Sequence, residues 1–209
     1  MLSLQIVQVL AGTSLLAIVG GFVVNHALGV PPRERVRVVA KGHPARWTEF
    51  AWLGGTAVAS AWSIGVLLVP AYAYHWPSLP DFGFSWVIQL LGFAGSFVGG
   101  AVFFAASRTL GRHMTPAIQI REGHQLVQDG PYGYVRHPVY TAIVTAAGSF
   151  SALYLSPILA VLTVFLAGLA VYRARLEERL LSSPEVFGEK YKEYMGRTGR
   201  FLPRIGSKL

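Results

Sequence analysis

Long uncharged stretches alternate with short basic ones along this chain. No Asp, Glu, Lys or Arg occurs in residues 1–32, 50–80, 82–107 or 138–172. Each stretch is long enough to cross a bilayer, for which about 20 apolar residues suffice. The last has room for two short crossings, and Ser156-Pro157 near its middle breaks it. The pattern predicts an all-α, multi-pass membrane protein with about five transmembrane helices, the last two forming a hairpin: 4–24, 50–74, 84–107, 139–155 and 158–172.

The composition agrees with a single membrane domain. Of the 209 residues 53% are hydrophobic and 13% charged, and this charged share is well below the roughly 25% of soluble domains. The sequence shows no repeat or linker, so we expect one domain over 1–209, with a cytoplasmic tail over 173–209. It contains no cysteine, which excludes disulfides and thiolate chemistry. Gly95 and Gly99 form a small-xxx-small pair that favours close helix approach.

Arginine and lysine mark alternate loops. The second loop and the hairpin turn lack them, whereas the first loop, the third loop and the tail carry Arg33, Arg35, Arg37, Lys41, Arg46, Arg108, Arg112, Arg121, Arg136 and the basic residues beyond Tyr172. Because cytoplasmic loops hold the excess of such residues, we expect the N-terminus outside and the C-terminus in the cytoplasm. The formal net charge of +8 follows from this topology. The expected partners of the basic surface are therefore membrane lipids and not nucleic acid.

The tail beyond the last span is also predicted to be helical. The fifth helix continues through 172–181. A second short helix is predicted to begin at Ser183-Pro184-Glu185, with Ser as cap and Pro in the first turn, and to end at Gly196. An apolar stripe on it consists of Val186, Phe187, Tyr191, Tyr194 and Met195. We expect this helix to lie on the membrane surface or to cover a site.

Polar chemistry concentrates at the cytoplasmic ends of the last two spans. His137 and Tyr140 lie three residues apart and so share a helix face, and Arg173 and Glu177 lie four apart and do the same. The hairpin brings the two pairs together. Taken one at a time, these residues have ordinary explanations: His137 as part of a positively charged membrane anchor, Tyr140 as part of an aromatic belt, and Arg173 with Glu177 as a surface ion pair. Two polar clusters on adjacent helix ends favour a functional site, because ionisable groups near a bilayer are costly.

A metal site is not expected. The six histidines show no paired spacing such as H-E-x-x-H. The sequence also lacks G-x-G-x-x-G after a strand and the P-loop motif, so no soluble nucleotide-binding fold is indicated.

An ordered set of motifs runs from the third loop into the tail. It consists of His124-x-Leu126-Val127, Gly130-Pro131-Tyr132, Arg136-His137-Pro138-x-Tyr140, Arg173-x-x-x-Glu177-Glu178 and Phe187-Gly188-x-x-Tyr191-x-x-Tyr194. In this set, which covers about 119–194, the chain resembles the integral-membrane methyltransferases that include isoprenylcysteine carboxyl methyltransferase and the phospholipid N-methyltransferases.

The resemblance implies S-adenosylmethionine as cofactor, held at the cytoplasmic face. The implied cofactor contacts are Gln119, His124, Gln125, Leu126, Val127, Tyr132, His137, Pro138, Val139, Tyr140 and Glu177. The implied catalytic residues are Arg173 and Glu177, with Arg173 facing the acceptor. A carboxylate such as Glu177 suits the amino group of this cofactor, and apolar and aromatic walls suit its adenine.

The acceptor is expected to be lipid-like or prenylated, most like a C-terminal isoprenylcysteine. A carboxylate acceptor is ionised at neutral pH and needs a cation, for which Arg173 is suited. An amine would need to lose a proton and would prefer a carboxylate or aromatic partner. A phospholipid or small-molecule N- or S-methyltransferase therefore stays open, as do a lipid reductase using a nicotinamide cofactor and a non-catalytic membrane protein on the same scaffold.

Overall fold

The computed structural model describes residues 1–27, 38–41, 47–69, 81–111, 114, 117–121, 123 and 125–204. Within these ranges the elements are α1 (Leu4–Ala27), β1 (Val38–Lys41), α2 (Trp47–Leu68), α3 (Ser85–Leu110), β2 (Gln119–Arg121), a 3₁₀ turn (Gly130–Gly133), α4 (Pro138–Tyr154), α5 (Pro157–Leu181) and α6 (Glu189–Arg197).

The five predicted long helices are all present, which confirms the helical, multi-pass class. Four of them, α1, α2, α3 and α5, are long and apolar enough to cross a membrane. The helix α4 has 17 residues, about 26 Å of helix at 1.5 Å per residue. That α4 also crosses the membrane stays a prediction. The second helix ends at Leu68, and the predicted extension over 70–74 lies outside the described residues.

The predicted hairpin break lies between α4 and α5. Leu155 takes a left-handed conformation with φ 50° directly after α4. Ser156 then caps α5, because its hydroxyl accepts a hydrogen bond from the Leu159 amide at 3.4 Å, and Pro157 occupies the first helical position. The turn is therefore tight, and the end of α5 returns past the start of α4.

The helices α3 and α4 pack with their backbones close together. A Cβ atom added at Gly92 would lie 2.5 Å from the Ser149 carbonyl oxygen, and one added at Gly95 would lie 2.5 Å from the Ser149 hydroxyl. At Gly99 it would lie 3.1 Å from the Ala142 carbonyl oxygen. The predicted Gly95–Gly99 pair thus belongs to a longer glycine stripe that faces α4.

The two ends of the helices differ in their contacts. At one end the N-terminal amine lies 2.6 Å from Asp81. There the Gln89 side chain accepts from the Leu2 amide at 2.8 Å and donates to the Leu153 carbonyl at 3.1 Å. The starts of α1 and α3 and the end of α4 therefore meet there. The start of α4 and the end of α5 meet at the opposite end, which we call the charged end.

Two short strands were not predicted. Strands β1 and β2 form an antiparallel ribbon with the pairs Val38–Arg121, Ala40–Ile120 and Lys41–Gln119. Segments of four and three residues are too short for a periodic pattern to show. The ribbon ties the first basic loop to the third.

The tail corrects one prediction. The helix α5 continues through Leu181 as expected, but the next helix begins at Glu189 and not at Ser183. The Ser183 carbonyl oxygen accepts from the Val186 and Gly188 amides, both at 3.0 Å, which makes a turn. Gly188 then has φ 53°, a value that other residues rarely adopt. Gly196 lies inside α6 and does not end it, because the helix continues through Arg197.

Candidate active site

The start of α4 presents His137 and Tyr140 on one face. His137 is the N-cap residue and Pro138 the first helical residue, which is the position that proline favours. Both side chains are buried, and their rings stack with centroids 5.6 Å apart and planes 11° apart. The three-residue spacing places them in contact, as the sequence predicts.

The end of α5 meets this face with Arg173 and Glu177. The Tyr140 phenol donates to Glu177 Oε1, and His137 Nδ1 lies 3.3 Å from Glu177 Oε2. Arg173 Nε donates to the same phenol oxygen at 3.3 Å, and its guanidinium carbon lies 6.0 Å from the Tyr140 ring centroid. Tyr140 therefore links the arginine to the carboxylate, and the two predicted pairs form one cluster.

The helix α2 also contributes to the cluster, which the sequence did not indicate. Arg173 Nη1 donates to the Thr48 hydroxyl at 3.4 Å, and Trp52 packs edge-on against Tyr140 with ring centroids 4.9 Å apart. Thr48 and Arg173 are 125 positions apart in the sequence. The available signal was physical: a buried arginine needs an acceptor from a neighbouring helix, and Thr48 follows the first basic loop.

Glu178, the next residue on α5, takes part in a second ionic group. Its carboxylate accepts from Arg136 Nε at 2.9 Å and from the Arg200 guanidinium, with 2.5 Å between Arg200 Nη2 and Oε2. His137 Nε2 lies 3.4 Å from Glu178 Oε1 but makes no hydrogen bond there. Arg136, which the sequence places among the basic residues of the third loop and in the Arg136-His137-Pro138-x-Tyr140 motif, thus has a specific partner, and Arg200 was not predicted at all.

The two neighbouring glutamates differ in exposure. The Glu177 side chain is 25% exposed and that of Glu178 is 5% exposed. Both contact His137. Glu177 is therefore the more accessible of the two acids in the structure.

The pKa of His137 is raised above its ordinary value. Burial by itself lowers this pKa, but the close approach and the negative charges of the Glu177 and Glu178 carboxylates raise it by more. The imidazolium is thus favoured between two acids. Its positive charge partly balances their negative charges, and a ligand that approaches Glu177 also meets His137.

Three tyrosines around the cluster are held neutral. Burial, followed by the charge of Glu177, raises the pKa of Tyr132, and burial raises those of Tyr191 and Tyr194, the last to about 12. The Tyr194 phenol donates to the Tyr132 carbonyl at 2.6 Å. The helix α6 therefore packs on the 3₁₀ turn, and that it covers a ligand site stays a prediction.

The other predicted cofactor contacts lie around this centre. Gln119 is partly buried on β2 and pairs with Lys41. Gln125, Leu126 and Val127 follow in a segment without helix or strand, and His124 lies outside the described residues. Pro138 is buried and Val139 partly buried at the start of α4. Among the residues that the structure describes, no hydrogen bond or ion pair joins Gln119 or 125–127 to His137 or Glu177.

The fold and the site together define the class of protein. In the part of the chain that the structure describes, apolar helices of membrane-spanning length carry a buried cluster of acids, arginines and tyrosines at the charged end. This is an integral membrane protein with its polar site at one end of its helices.

The chain belongs to the isoprenylcysteine carboxyl methyltransferase (ICMT) family. The model of that family matches residues 90–183, from α3 into the turn after α5. The matched region contains His137, Tyr140, Arg173 and Glu177, but neither Thr48 nor Arg200.

Three curated relatives agree with this assignment. The chain is 30% identical over 150 residues to protein-S-isoprenylcysteine O-methyltransferase B of Arabidopsis thaliana, covering 70% of this chain and 74% of that protein. It is 29% identical over 134 residues to the protein-S-isoprenylcysteine O-methyltransferase of Dictyostelium discoideum, covering 63% of this chain and 54% of that protein. It is 28% identical over 136 residues to a probable enzyme of the same name from Oryza sativa subsp. indica, covering 64% and 69%. The match thus spans about half of the Dictyostelium protein.

Proposed function

We propose that this protein transfers a methyl group from S-adenosylmethionine to the carboxylate of a C-terminal isoprenylcysteine. One observation carries the proposal: a continuous polar chain joins Arg173 through Tyr140 to Glu177 and His137 at the charged end. Relatives over the matched region are named for this reaction. The series offers the Arg173 cation for a carboxylate acceptor, and the Glu177 carboxylate beside His137 for a cofactor that bears an ammonium group and a carboxylate.

The residues at the charged end fit the cofactor. Glu177 is a partly exposed carboxylate whose oxygens point at Tyr140 and His137, and it would accept hydrogen bonds from the amino group. His137, favoured as imidazolium, suits the cofactor carboxylate. Tyr132 and 125–127 are candidates for the wall against its adenine. When bound, S-adenosylmethionine supplies a methyl group that a carboxylate oxygen can take, which gives a methyl ester and S-adenosylhomocysteine.

Arg173 is the proposed contact of the acceptor. It is buried at 1% exposure and held by Tyr140 and Thr48, so its guanidinium has a fixed position. A carboxylate acceptor is already ionised at neutral pH, and no base is needed to activate it. The contribution of the protein is then alignment of the acceptor with the methyl group, which can supply several kcal/mol of barrier lowering.

Tyr140 sets the distance between the two binding groups. Its phenol accepts from Arg173 and donates to Glu177, and its ring is fixed by Trp52 and His137. The acceptor end and the cofactor end of the site are therefore held on one rigid side chain.

We further propose that the charged end faces the cytoplasm, with the N-terminus outside. Arg136, Arg173 and Arg200 lie at this end, and an excess of basic residues marks the cytoplasmic side of a membrane protein. A water-soluble cofactor then enters from the cytoplasm, and a prenylated acceptor enters from the membrane.

Methyl transfer from labelled S-adenosylmethionine tests the proposal directly. The purified, detergent-solubilised protein is offered a farnesylated cysteine analogue and phosphatidylethanolamine in parallel. We expect label on the prenylcysteine as a base-labile ester. Label on the phospholipid alone would instead support an N-methyltransferase. Binding of S-adenosylhomocysteine without transfer would retain the cofactor and reject both acceptors, and no binding would reject the methyltransferase.

A further inference from the structure

The end of the described chain lies across the start of α4. The Arg136 amide donates to the Gly199 carbonyl at 2.9 Å, the His137 amide donates to the Arg200 carbonyl at 3.1 Å, and the Gly199 amide donates to the Tyr134 carbonyl at 3.2 Å. The Thr141 hydroxyl also donates to the Phe201 carbonyl at 3.0 Å. We call residues 198–201 the strap. The strap binds the backbone of the residue that carries the site imidazole.

Glu178 fastens the strap from the other side. Arg200 Nε lies 3.1 Å from both carboxylate oxygens, and Arg200 Nη2 lies 2.5 Å from Oε2. Arg136 Nε occupies Oε1 as well, while Arg136 Nη1 donates to the Met195 carbonyl at 3.1 Å and to the Thr198 carbonyl. The Glu178 carboxylate thus accepts hydrogen bonds from two arginines. Such charge-assisted, partly buried pairs are the strong class of hydrogen bond.

We propose that Arg200, acting through Glu178, is a positioning residue for the cofactor site, an inference that rests on the proposed function. The two arginines occupy the Glu178 oxygens, so His137 Nε2 makes no hydrogen bond there although it lies 3.4 Å from Oε1. The imidazole instead faces Glu177 through Nδ1 at 3.3 Å. Arg200, together with Arg136, therefore competes with His137 for the Glu178 carboxylate.

Removal of Arg200 has two effects on the same side chain. It frees acceptor positions on Glu178 beside His137 Nε2, and it releases the strap that holds the His137 backbone. Both effects are expected to turn the imidazole away from Glu177, the more exposed of the two acids. Arg200 itself contacts Glu178 and not Glu177. Its loss is therefore expected to affect cofactor binding only through His137. Arg200 also lies beyond the region that the family model matches.

The test compares Arg200→Gln and Arg200→Lys with Lys192→Gln, which removes an equal charge from an exposed site on α6. In the full-length protein in detergent, we expect Arg200→Gln to raise the KM for S-adenosylmethionine about tenfold, the loss of roughly one charge-assisted hydrogen bond. The KM for the prenylcysteine stays near the wild-type value. Arg200→Lys recovers part of the loss, and Lys192→Gln changes nothing. A purely structural role would lower the active fraction, and so kcat, at unchanged KM, which would overturn the proposal.

A second variant reaches the strap without removing charge. A Cβ atom at Gly199 would lie 1.7 Å from the Leu202 carbonyl oxygen, so Gly199→Ala displaces the strap while Arg200 and Glu178 remain. We expect it to raise the same KM. If Gly199→Ala frees the strap and leaves this KM unchanged, the strap does not position His137.

Hydrogen–deuterium exchange separates this inference from the proposed function. The amides of Arg136 and His137 should exchange faster in Arg200→Gln and in Gly199→Ala than in wild type or Lys192→Gln. Wild-type protein that neither binds S-adenosylhomocysteine nor transfers methyl would reject the proposed function, and the exchange contrast would still decide whether Arg200 fastens the strap. Unchanged exchange in Arg200→Gln would overturn the inference whatever the activity.

Discussion

The two sides of α4 are built differently. Toward α3 the contact is made by glycines, and a Cβ atom at Gly92 would lie 2.5 Å from the Leu153 amide nitrogen and the Ser149 carbonyl oxygen. Toward α5, at the charged end, it is made by the long side chains of Tyr140, Arg173 and Glu177. The α3 side is a close contact between backbones, whereas the α5 side is a set of long polar side chains that hydrogen-bond to one another.

The two sides of α4 are therefore expected to have different roles: one fixes the position of the helix, and the other carries the polar groups of the site. The rigid contact with α3 fixes where α4 starts and hence where His137 and Tyr140 stand. The polar contact with α5 is where ligands are expected to exchange hydrogen bonds with the protein. Changes on the α3 side should alter stability and leave the affinities of the surviving protein unchanged, and changes on the α5 side should do the reverse.

The largest effect is expected from Glu177→Gln. The change keeps the shape of the side chain but removes the charge that would hold the cofactor amino group. We expect S-adenosylhomocysteine binding to weaken about a hundredfold, or ~2.7 kcal/mol, as measured by ligand-induced thermal stabilisation. Glu193→Gln, an exposed change on α6, is the matched control. Equal protection of wild type and Glu177→Gln would remove Glu177 from the cofactor site.

Arg173→Ala tests the acceptor end. Loss of the guanidinium removes the cation proposed to hold the carboxylate, and we expect kcat/KM for the prenylcysteine to fall roughly thirtyfold, which corresponds to ~2 kcal/mol. Binding of S-adenosylhomocysteine should stay near wild type, because Glu177 and His137 remain. Arg173→Lys, which keeps a charge, is the companion variant. A parallel loss of cofactor binding and turnover would show that Arg173 does not have a separate role.

Gly92→Ala tests the rigid side of α4. The added methyl group would meet the α4 backbone at 2.5 Å, and forced overpacking of this kind costs about 1–3 kcal/mol. We expect a lower thermal midpoint with an unchanged KM for both substrates. Gly54→Ala, where a Cβ atom would meet nothing within 4 Å, should be neutral or slightly stabilising, since alanine favours helix. A changed KM in Gly92→Ala would break the division between the two sides.

Thr48→Val tests whether α2 supports the charged end. The change conserves volume but leaves Arg173 without the hydroxyl acceptor at 3.4 Å. A fivefold decrease in kcat/KM for the acceptor is expected, about 1 kcal/mol, with cofactor binding unchanged. Thr56→Val on the same helix, where the hydroxyl bonds only its own helix at the Leu53 carbonyl, should have no effect. Equal activities of the two variants would exclude Thr48 from the site.

The features that the sequence predicted correctly are those whose signals lie within a short stretch of the chain. The five helices and the turn at Ser156-Pro157 were predictable because uncharged stretches and a proline act locally. The cluster of His137, Tyr140, Arg173 and Glu177 was predictable because helical spacing and one hairpin suffice to build it. Which of these residues bind cofactor or acceptor stays a prediction.

The remainder depends on contacts between distant parts of the chain. Thr48 and Arg200 reach the cluster from α2 and from the strap, and no motif around either residue identifies Arg173 or Glu178 as its partner. The start of α6 was misplaced because Ser183-Pro184 resembles a cap, although the Ser183 carbonyl makes a turn with Val186 and Gly188. A cap signal in the sequence does not start a helix where the backbone groups already have other hydrogen-bond partners.

The smallest effect concerns pH and the His137 imidazole. This ring faces Glu177 and Glu178 of α5, with Arg136 and Arg200 on Glu178, and its pKa is raised in the folded protein. A raised pKa contributes stability that is fully present below the unfolded value of 6.5 and is lost as pH rises through the folded value. We expect the thermal midpoint of the wild type to decline over that interval, and that of His137→Gln to decline less. Parallel pH profiles would show that His137 is neutral between the two acids, and the polar side of α4 would then carry one more net negative charge than the geometry indicates.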